Sequence, residues 1–184
     1  PEEAEAALAH LISSTVSAGG HVLLPVPTGG ISQGLILVLG RFLKEGKIPP
    51  AKVLVEKIVS EASSVYEAYP EFLSRGLREQ ILSSEGTPFG SSDRFMTVTA
   101  DALGSEPSII LAPSSMLIGG PSVRYLEQIA GNQNNRLVLL SYQAPETPGR
   151  AIQDGSRRIT VNGREIELVC RVDKLDGFAS HSNY

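Results

Sequence analysis

Cysteine and histidine are scarce in this chain of 184 residues, and their scarcity excludes whole classes of site. The single cysteine, Cys170, rules out a disulfide framework within the chain, and its place in the strand pattern of residues 165–172 predicts a buried, unreactive thiol. The three histidines, His10, His21 and His181, show no HxH or HExxH spacing, and no paired cysteines accompany them. We therefore expect neither a metal site nor a bound cofactor in this chain.

Long apolar runs and an excess of positive charge are also missing. No segment approaches the roughly 20 uninterrupted apolar residues of a membrane span, and no signal-peptide pattern opens the chain, so we expect a soluble, cytoplasmic protein with no membrane partner. Sixteen basic residues against twenty acidic ones give a formal net charge of −4. This charge argues against a protein that binds nucleic acid by bulk electrostatics alone, but it leaves a local basic face open.

The centre of the chain has the pattern of a strand, a helix and a second strand. Residues Ser108–Ala112 and 136–142 are short apolar runs rich in β-branched residues, as is typical of buried strands in a parallel sheet. Between them, residues 121–130 carry apolar side chains at helical spacing, after Pro121 and before Gly131. The pattern predicts a βαβ unit.

Two loops, at 113–120 and 143–149, follow these predicted strands. Both leave the carboxyl ends of strands, which is the edge where open α/β sheets bind ligands. An earlier strand pattern at 21–26 is followed by PTGG and by a helical pattern over 31–42. Neither the phosphate-loop nor the dinucleotide glycine spacing is present there, so a weak phosphate-binding turn and a plain β-to-α turn both remain open.

The remaining segments complete an α/β pattern. The sequence predicts a helix over Glu2–Ser17, an extended segment over 52–59, two helices broken near Pro70, a short strand over 95–99, and an antiparallel hairpin turning at Asn162 and Gly163. Aromatic residues near Pro70 are interpreted as core rather than as platforms for stacking bases. The predicted fold is a three-layer α/β sandwich with a mainly parallel, Rossmann-like sheet and a C-terminal antiparallel hairpin.

His181 is the residue that the local sequence itself favours for chemistry. It lies in GFASHSNY, beyond the last predicted strand, among small and hydroxyl residues and close to Asn183. Such neighbours can orient an imidazole and let a phosphate approach it. A functional role and a purely structural role in closing the last loop both remain open at this point.

Several longer motifs carry a resemblance to a known family. LAPSSMLIGGPSVRYL, LLSYQAPETPGRAIQDG and DGFASHSNY, in this order and spacing, resemble the β-CASP domain of metallo-β-lactamase-fold nucleases. That group includes subunits of the cleavage and polyadenylation specificity factor, RNase J and Artemis. VEKIVSEASSVYEAYPEFLSRGLREQI followed by TPF is most similar to the archaeal homologues of the polyadenylation factor. The resemblance covers nearly the whole chain.

The resemblance implies that residues 1–184 form a cap domain of a longer parent whose metallo-β-lactamase domain is not in this chain. RNA would run through the cleft between the two domains, and zinc would be bound by the other domain. The implied partners are RNA, the metallo-β-lactamase domain of the same parent, and a second subunit in a homo- or hetero-dimer. His181 falls on the family's motif B histidine, which is catalytic. The implied RNA-facing residues are Ser114, Ser115, Gly119, Gly120, Arg150 and Ser180.

The chain departs from the family pattern at positions that are expected to face the cleft. Ile31 stands where an arginine is expected, Gly34 where a glutamate is expected, and Asn183 where an aspartate is expected, while Ser115 replaces the glycine of an SGM pattern. Losing charges of this type from one cleft commonly costs roughly one to two orders of magnitude in rate each. A catalytically degenerate member of the family is therefore a competing hypothesis.

Three functional hypotheses follow. The first is the RNA-binding cap of a zinc-dependent ribonuclease in RNA 3′-end processing or decay. The second is a non-catalytic subunit that uses the same fold to bind RNA or an active partner. The third is a Rossmann-like domain that binds a small ligand at the loops after its strands.

Overall fold

The computed structural model describes residues 2–83, 88–90, 92–99 and 102–178. Six helices occur in these segments, namely α1 (Glu2–Ser17), α2 (Ile31–Lys44), α3 (Lys57–Ala68), α4 (Arg75–Leu82), α5 (Pro121–Ile129) and α6 (Pro148–Gln153), with a short 3-10 helix at Pro70–Phe72. Eight strands occur there, namely β1 (Val22–Pro25), β2 (Lys52–Glu56), β3 (Phe95–Val98), β4 (Ser108–Ala112), β5 (Arg136–Leu139), β6 (Arg158–Val161), β7 (Arg164–Glu167) and β8 (Arg171–Lys174).

Six of the strands form one sheet in the order β3-β2-β4-β1-β5-β8, and every neighbouring pair is parallel. Strand β1 lies near the middle, with Val22 opposite Ile109 of β4 and opposite Arg136 of β5. The other two strands, β6 and β7, form a separate antiparallel hairpin. Its turn residues Asn162 and Gly163 have φ values of 52° and 75°, the left-handed pair that a two-residue hairpin turn requires.

The sheet has a hydrophobic core on each face because successive side chains of a strand point in opposite directions. Leu24 of β1 packs into a core shared with α1, α2 and α3. Leu23, its neighbour, packs into a second core shared with α5, α6 and the β6–β7 hairpin. The predicted three-layer α/β sandwich with a C-terminal hairpin is confirmed.

The segment after the hairpin turn differs from the prediction of one strand over 165–172. Strand β7 ends at Glu167, and β8 starts at Arg171 beside β5 in the main sheet. The backbone amides of Val169 and Cys170 both donate to the carbonyl of Ala130, at 2.8 and 2.9 Å. This contact at the end of α5 draws the chain away from the hairpin. Cys170 is 1% exposed, so its thiol is buried but does not lie in a strand.

Two other boundaries also differ from the sequence pattern. The extended segment predicted over 52–59 ends at Glu56, and α3 begins at Lys57 without an intervening turn. The loop predicted over 143–149 ends early, because Thr147 caps α6 by accepting a hydrogen bond from the backbone amide of Arg150 at 3.2 Å.

The interpretation of the aromatic residues near Pro70 as core is wrong for two of them. Tyr69 is 56% exposed and Phe72 is 83% exposed. No residue of α4 is buried. Tyr66 is partly buried and makes an edge contact with the ring of Phe89, at 6.4 Å between centroids. The apolar residues here belong to a helical segment that packs only loosely against the rest of the domain.

Candidate nucleic-acid interface

The strand order places a topological switch point, the expected position of a ligand-binding crevice, at the carboxyl edge of the sheet between the neighbouring strands β1 and β4. The chain leaves β1 toward α2 on one face of the sheet and leaves β4 toward α5 on the other. Neighbouring parallel strands whose connections go to opposite faces create the usual ligand-binding crevice of open α/β sheets. Three segments border this edge, and we call them the β1 loop (residues 26–30), the β4 loop (residues 113–120) and the β5 loop (residues 140–147).

The β1 loop is held in place by side chains from the first turn of α2. The hydroxyl of Ser32, which is fully buried, donates to the carbonyl of Pro27. The amide of Gln33 donates to the carbonyl of Thr28 at 3.3 Å and to Oγ of Ser63 at 3.1 Å. These hydrogen bonds, all between uncharged groups, hold the β1 loop against the start of α2. The first turn of α2 contains no acidic residue and no basic one.

The β4 loop is fixed largely by its own hydrogen bonds. Oγ of Ser114 accepts a bond from the backbone amide of Ile118 at 3.1 Å. Ser122, in the first turn of α5, donates its hydroxyl to the carbonyl of Ser114 at 2.8 Å and its amide to the carbonyl of Pro113 at 2.7 Å. Leu117 is fully buried beneath the loop. Two of the predicted RNA-facing residues, Gly119 and Gly120, therefore lie on a well-supported segment at the start of α5.

Gln143 joins the β4 and β5 loops and was not identified from the sequence. Its side chain is almost fully buried, with 1% of the residue exposed. Its amide nitrogen donates to the carbonyl of Ser115 and to the carbonyl of Ser141, each at 3.1 Å. The amide of Gly149 adds a second link by donating to the carbonyl of Met116 at 3.0 Å. The sequence feature that could have identified Gln143 is a single glutamine directly after an apolar strand pattern.

Arg150, one residue beyond the loop predicted over 143–149, lies in the first turn of α6. Its Nε is 2.9 Å from Oδ2 of Asp154, one helical turn later, and 39% of its side chain is exposed. This carboxylate partly neutralises the guanidinium charge, so Arg150 offers less to an anion than a free arginine would. Ser114, Ser115, Gly119 and Gly120 thus share the β4 loop, whereas Arg150 lies in α6, where its neighbour Gly149 bonds to that loop. Ser180 and His181 lie outside the described residues.

The described segments hold no group of three or more His, Cys, Asp or Glu side chains that is arranged to hold a metal ion. Nor does any helix in them have the length and apolar character needed to cross a membrane. Burial lowers the pKa of His21 below its ordinary value, although a hydrogen bond with the backbone of Gly104 opposes the shift. His21 precedes β1, at the opposite edge of the sheet from the crevice.

Comparison with known proteins identifies relatives over the whole chain. The transcription termination factor FttA of Cenarchaeum symbiosum (strain A) is 38% identical over 195 residues, which cover 100% of this chain and 30% of the relative. The transcription termination factor FttA of Lokiarchaeum sp. (strain GC14_75) is 41% identical over 192 residues, with 99% of this chain and 30% of the relative covered. The factor of the same name from Pyrococcus abyssi (strain GE5 / Orsay) is 39% identical over 193 residues, with the same coverage of each.

The chain therefore spans about 30% of the length of the curated relatives it matches. Residues 32–152, more than half of the chain, match the Beta-Casp domain. This matched segment runs from the first turn of α2 to α6 and contains the β4 loop and Gln143. The resemblance inferred from the sequence motifs is confirmed, and the chain belongs to the Beta-Casp domain family.

Proposed function

We propose that this chain is the RNA-binding cap domain of a longer, zinc-dependent ribonuclease of the metallo-β-lactamase/β-CASP type. The parent would act in transcription termination, RNA 3′-end processing or decay, which agrees with the name of its relatives, transcription termination factor. The observation that carries the proposal is the topological switch point between β1 and β4, bordered by small residues on a loop that Gln143 supports.

Small residues on the β4 loop suit an RNA backbone because they let phosphates come close to the main chain. Gly120 precedes the first turn of α5, where Pro121 has no amide hydrogen and the amide of Ser122 already donates to the carbonyl of Pro113. The contribution of this helix end to anion binding is therefore the positive end of its dipole rather than free amides. The hydroxyl of Ser115 and the partly exposed guanidinium of Arg150 add donors at the same edge.

In this proposal the chemistry is shared between two domains. The described side chains of this chain do not form a zinc ligand set, so zinc would be held by the metallo-β-lactamase domain of the parent, where it would activate the attacking hydroxide. His181 would contribute an imidazole from the cap, oriented so that it can protonate the leaving oxygen. That role comes from the motif B resemblance.

RNA binding by the crevice is tested by adding a negative charge to it. In the full-length protein, Ser115→Asp should weaken binding of a single-stranded RNA by at least about tenfold, since a carboxylate would repel phosphates at close range. Ser105→Asp is the matched control, because Ser105 is exposed and precedes β4 at the opposite edge of the sheet. Binding should also weaken steeply with salt. Equal affinities of the two variants, or tight binding that persists at high salt, would contradict the proposal.

The role of His181 is tested by cleavage rather than by binding. In the full-length protein, His181→Ala should lower the rate of RNA cleavage per folded molecule by at least about tenfold, which is the low end for a positioned acid or base. The melting temperature should stay unchanged. His10→Ala, on an exposed position of α1, serves as the control. A lower melting temperature with an unchanged cleavage rate would instead assign His181 a structural role.

One observation favours a second candidate, a non-catalytic subunit that binds RNA or an active partner. At the family positions of an arginine and a glutamate, Ile31 packs against the core beneath α2 and Gly34 is exposed with open space around it. A full-length wild-type protein without any cleavage activity would support this candidate. Recovery of activity in the double variant Ile31→Arg/Gly34→Glu would tie the loss to these two positions.

A further inference from the structure

An exposed aromatic side chain stands at the edge of the crevice, where the function proposed above has no role for it. Tyr142, in the β5 loop, is 69% exposed. Gln143, the next residue, is 1% exposed and Leu140 is 3% exposed, whereas Ser141 is partly buried. The ring therefore lies between two positions that anchor the loop in the domain.

The backbone on either side of Tyr142 is held by one buried side chain. The amide nitrogen of Gln143 donates to the carbonyl of Ser141, the residue before Tyr142, at 3.1 Å. It also donates to the carbonyl of Ser115 in the β4 loop at 3.1 Å. The two residues that flank Tyr142 are therefore tied to the β4 loop. A fixed backbone lowers the entropy that would be lost when its ring contacts a ligand.

A second apolar side chain is exposed on the partner loop. Ile118, in the β4 loop, is 59% exposed, while Leu117 beside it is fully buried. The bond from the amide of Ile118 to Oγ of Ser114 holds this position too. The two exposed side chains thus belong to two loops that the side chain of Gln143 ties together.

The surroundings of Tyr142 distinguish between two kinds of partner. A protein interface of useful affinity generally needs a contiguous apolar patch at its centre. The β4 loop instead presents serines and glycines around Ile118. Sites that bind single-stranded nucleic acid use exposed aromatic rings without needing such a patch, because every base has a flat face that can stack on a ring.

We propose that Tyr142 stacks against a base of single-stranded RNA whose backbone lies in the crevice. The inference rests on the function proposed above and deepens it by adding a base contact to the phosphate contacts. Stacking does not depend on counterion release, so the affinity that stacking contributes is insensitive to salt. The affinity contributed by phosphate contacts falls as the salt concentration rises. Stacking also tolerates any base, so it gives the site a preference for unpaired RNA rather than for a particular sequence.

The test combines a change in the protein with a matching change in the RNA. The full-length protein and its Tyr142→Ala variant are titrated with a short single-stranded RNA and with the same oligonucleotide carrying abasic positions. The wild-type protein should bind the intact RNA roughly 5- to 150-fold more tightly than the abasic one. Tyr142→Ala should remove most of this preference at low and at high salt. Tyr142→Phe should keep it, because the phenyl ring stacks as well.

Val169→Ala is the matched control, since Val169 is 53% exposed and precedes β8 at the opposite edge of the sheet. It should leave the preference for intact RNA unchanged. If Tyr142→Ala changes the affinity for both RNAs equally, or for neither, the stacking proposal is overturned while crevice binding stands. A lower melting temperature with the preference retained would overturn it as well, and would show that the ring packs on protein. Absence of any RNA binding by the wild-type protein would refute both proposals.

Discussion

Gln143 and Gly149 occupy adjoining space in which a larger residue at position 149 has no room. A Cβ atom added to Gly149 would overlap Oε1 of Gln143, and it would lie 2.9 Å from Cδ of Gln143 and 3.0 Å from the carbonyl oxygen of Met116. The glycine thus lets the start of α6 close against both loops of the crevice. Its amide uses that approach to donate to the Met116 carbonyl.

Gly149→Ala should destabilise the domain by about 1–3 kcal/mol, the usual cost of forcing extra volume into a packed site. Denaturant unfolding measures this change. Gly34→Ala is the control because nothing lies within 4 Å of an added Cβ there, and a helical alanine should add up to about 1 kcal/mol of stability. The double variant Gln143→Ala/Gly149→Ala should be less destabilised than the sum of the single changes. Strict additivity would contradict the overlap.

The Arg136 side chain connects the first helix to the last strand of the sheet. Its Nε donates to Oγ1 of Thr15 in α1 at 2.8 Å, and its guanidinium pairs with Asp173 of β8. The side chain of Arg136 is 9% exposed and that of Asp173 is 33% exposed. Asp173→Asn leaves a nearly buried charge without its counter-charge, which should cost about 1–3 kcal/mol of stability.

Glu79→Gln provides the comparison for Asp173→Asn. It breaks the ion pair between Arg75 and Glu79, whose side chains are 89% and 64% exposed. An exposed pair of this kind contributes less than about 0.5 kcal/mol. Unfolding curves of both variants at two salt concentrations distinguish the buried ion pair from the exposed one. Equal losses of stability in the two would contradict the structural role of Arg136.

The thiol of Cys170 should be unreactive in the folded protein. Burial raises its pKa from the ordinary value of 9.0 to about 11, and the nearby charge of Arg157 only partly opposes the shift. A shift of this size lowers the thiolate fraction at pH 8 by roughly 100-fold, and the thiolate is the nucleophile. Labelling with a thiol reagent should therefore be slow in buffer and fast in denaturant. Similar rates under the two conditions would show that the thiol is accessible.

Two phenylalanines should respond in opposite ways to the same substitution. Phe42 of α2 is 1% exposed, whereas Phe72 is 83% exposed. Phe42→Ala should cost about 3–5 kcal/mol because it opens a cavity in the core. Phe72→Ala should change stability by no more than about 0.5 kcal/mol. A large loss of stability on changing Phe72 would restore the interpretation of that residue as core.

The sequence predicted helices and strands correctly where the spacing of apolar residues fits only one of the two. Strand β4 has the predicted bounds because five buried residues in a row fit only an interior strand here. The start of α3 was missed because Ile58 and Val59 continue the apolar pattern of β2. The break after β7 depends on the distant carbonyl of Ala130, and no property of the local sequence announces that contact.

The sequence predicted where the candidate site lies, but not which contacts hold it together. The β4 loop was predicted at the carboxyl edge of the sheet because it follows a parallel strand. Gln143 escaped notice because its importance comes from contacts with Ser115 and Gly149, which only the folded chain brings together. The exposure of Tyr142 escaped notice for a similar reason, since the strand pattern over 136–142 does not show where the sheet ends.

The position of β1 in the sheet has a consequence for the order of folding. Val22 pairs with Ile109 on one side and with Arg136 on the other, so both neighbours of β1 come from much later in the chain. During synthesis, β1 and its apolar side chains must wait until β4 and β5 have emerged. Contacts so distant in sequence slow folding and leave strand edges exposed in the meantime. Because the crevice lies between β1 and β4, a nascent chain that has not yet been synthesised past β4 cannot form it.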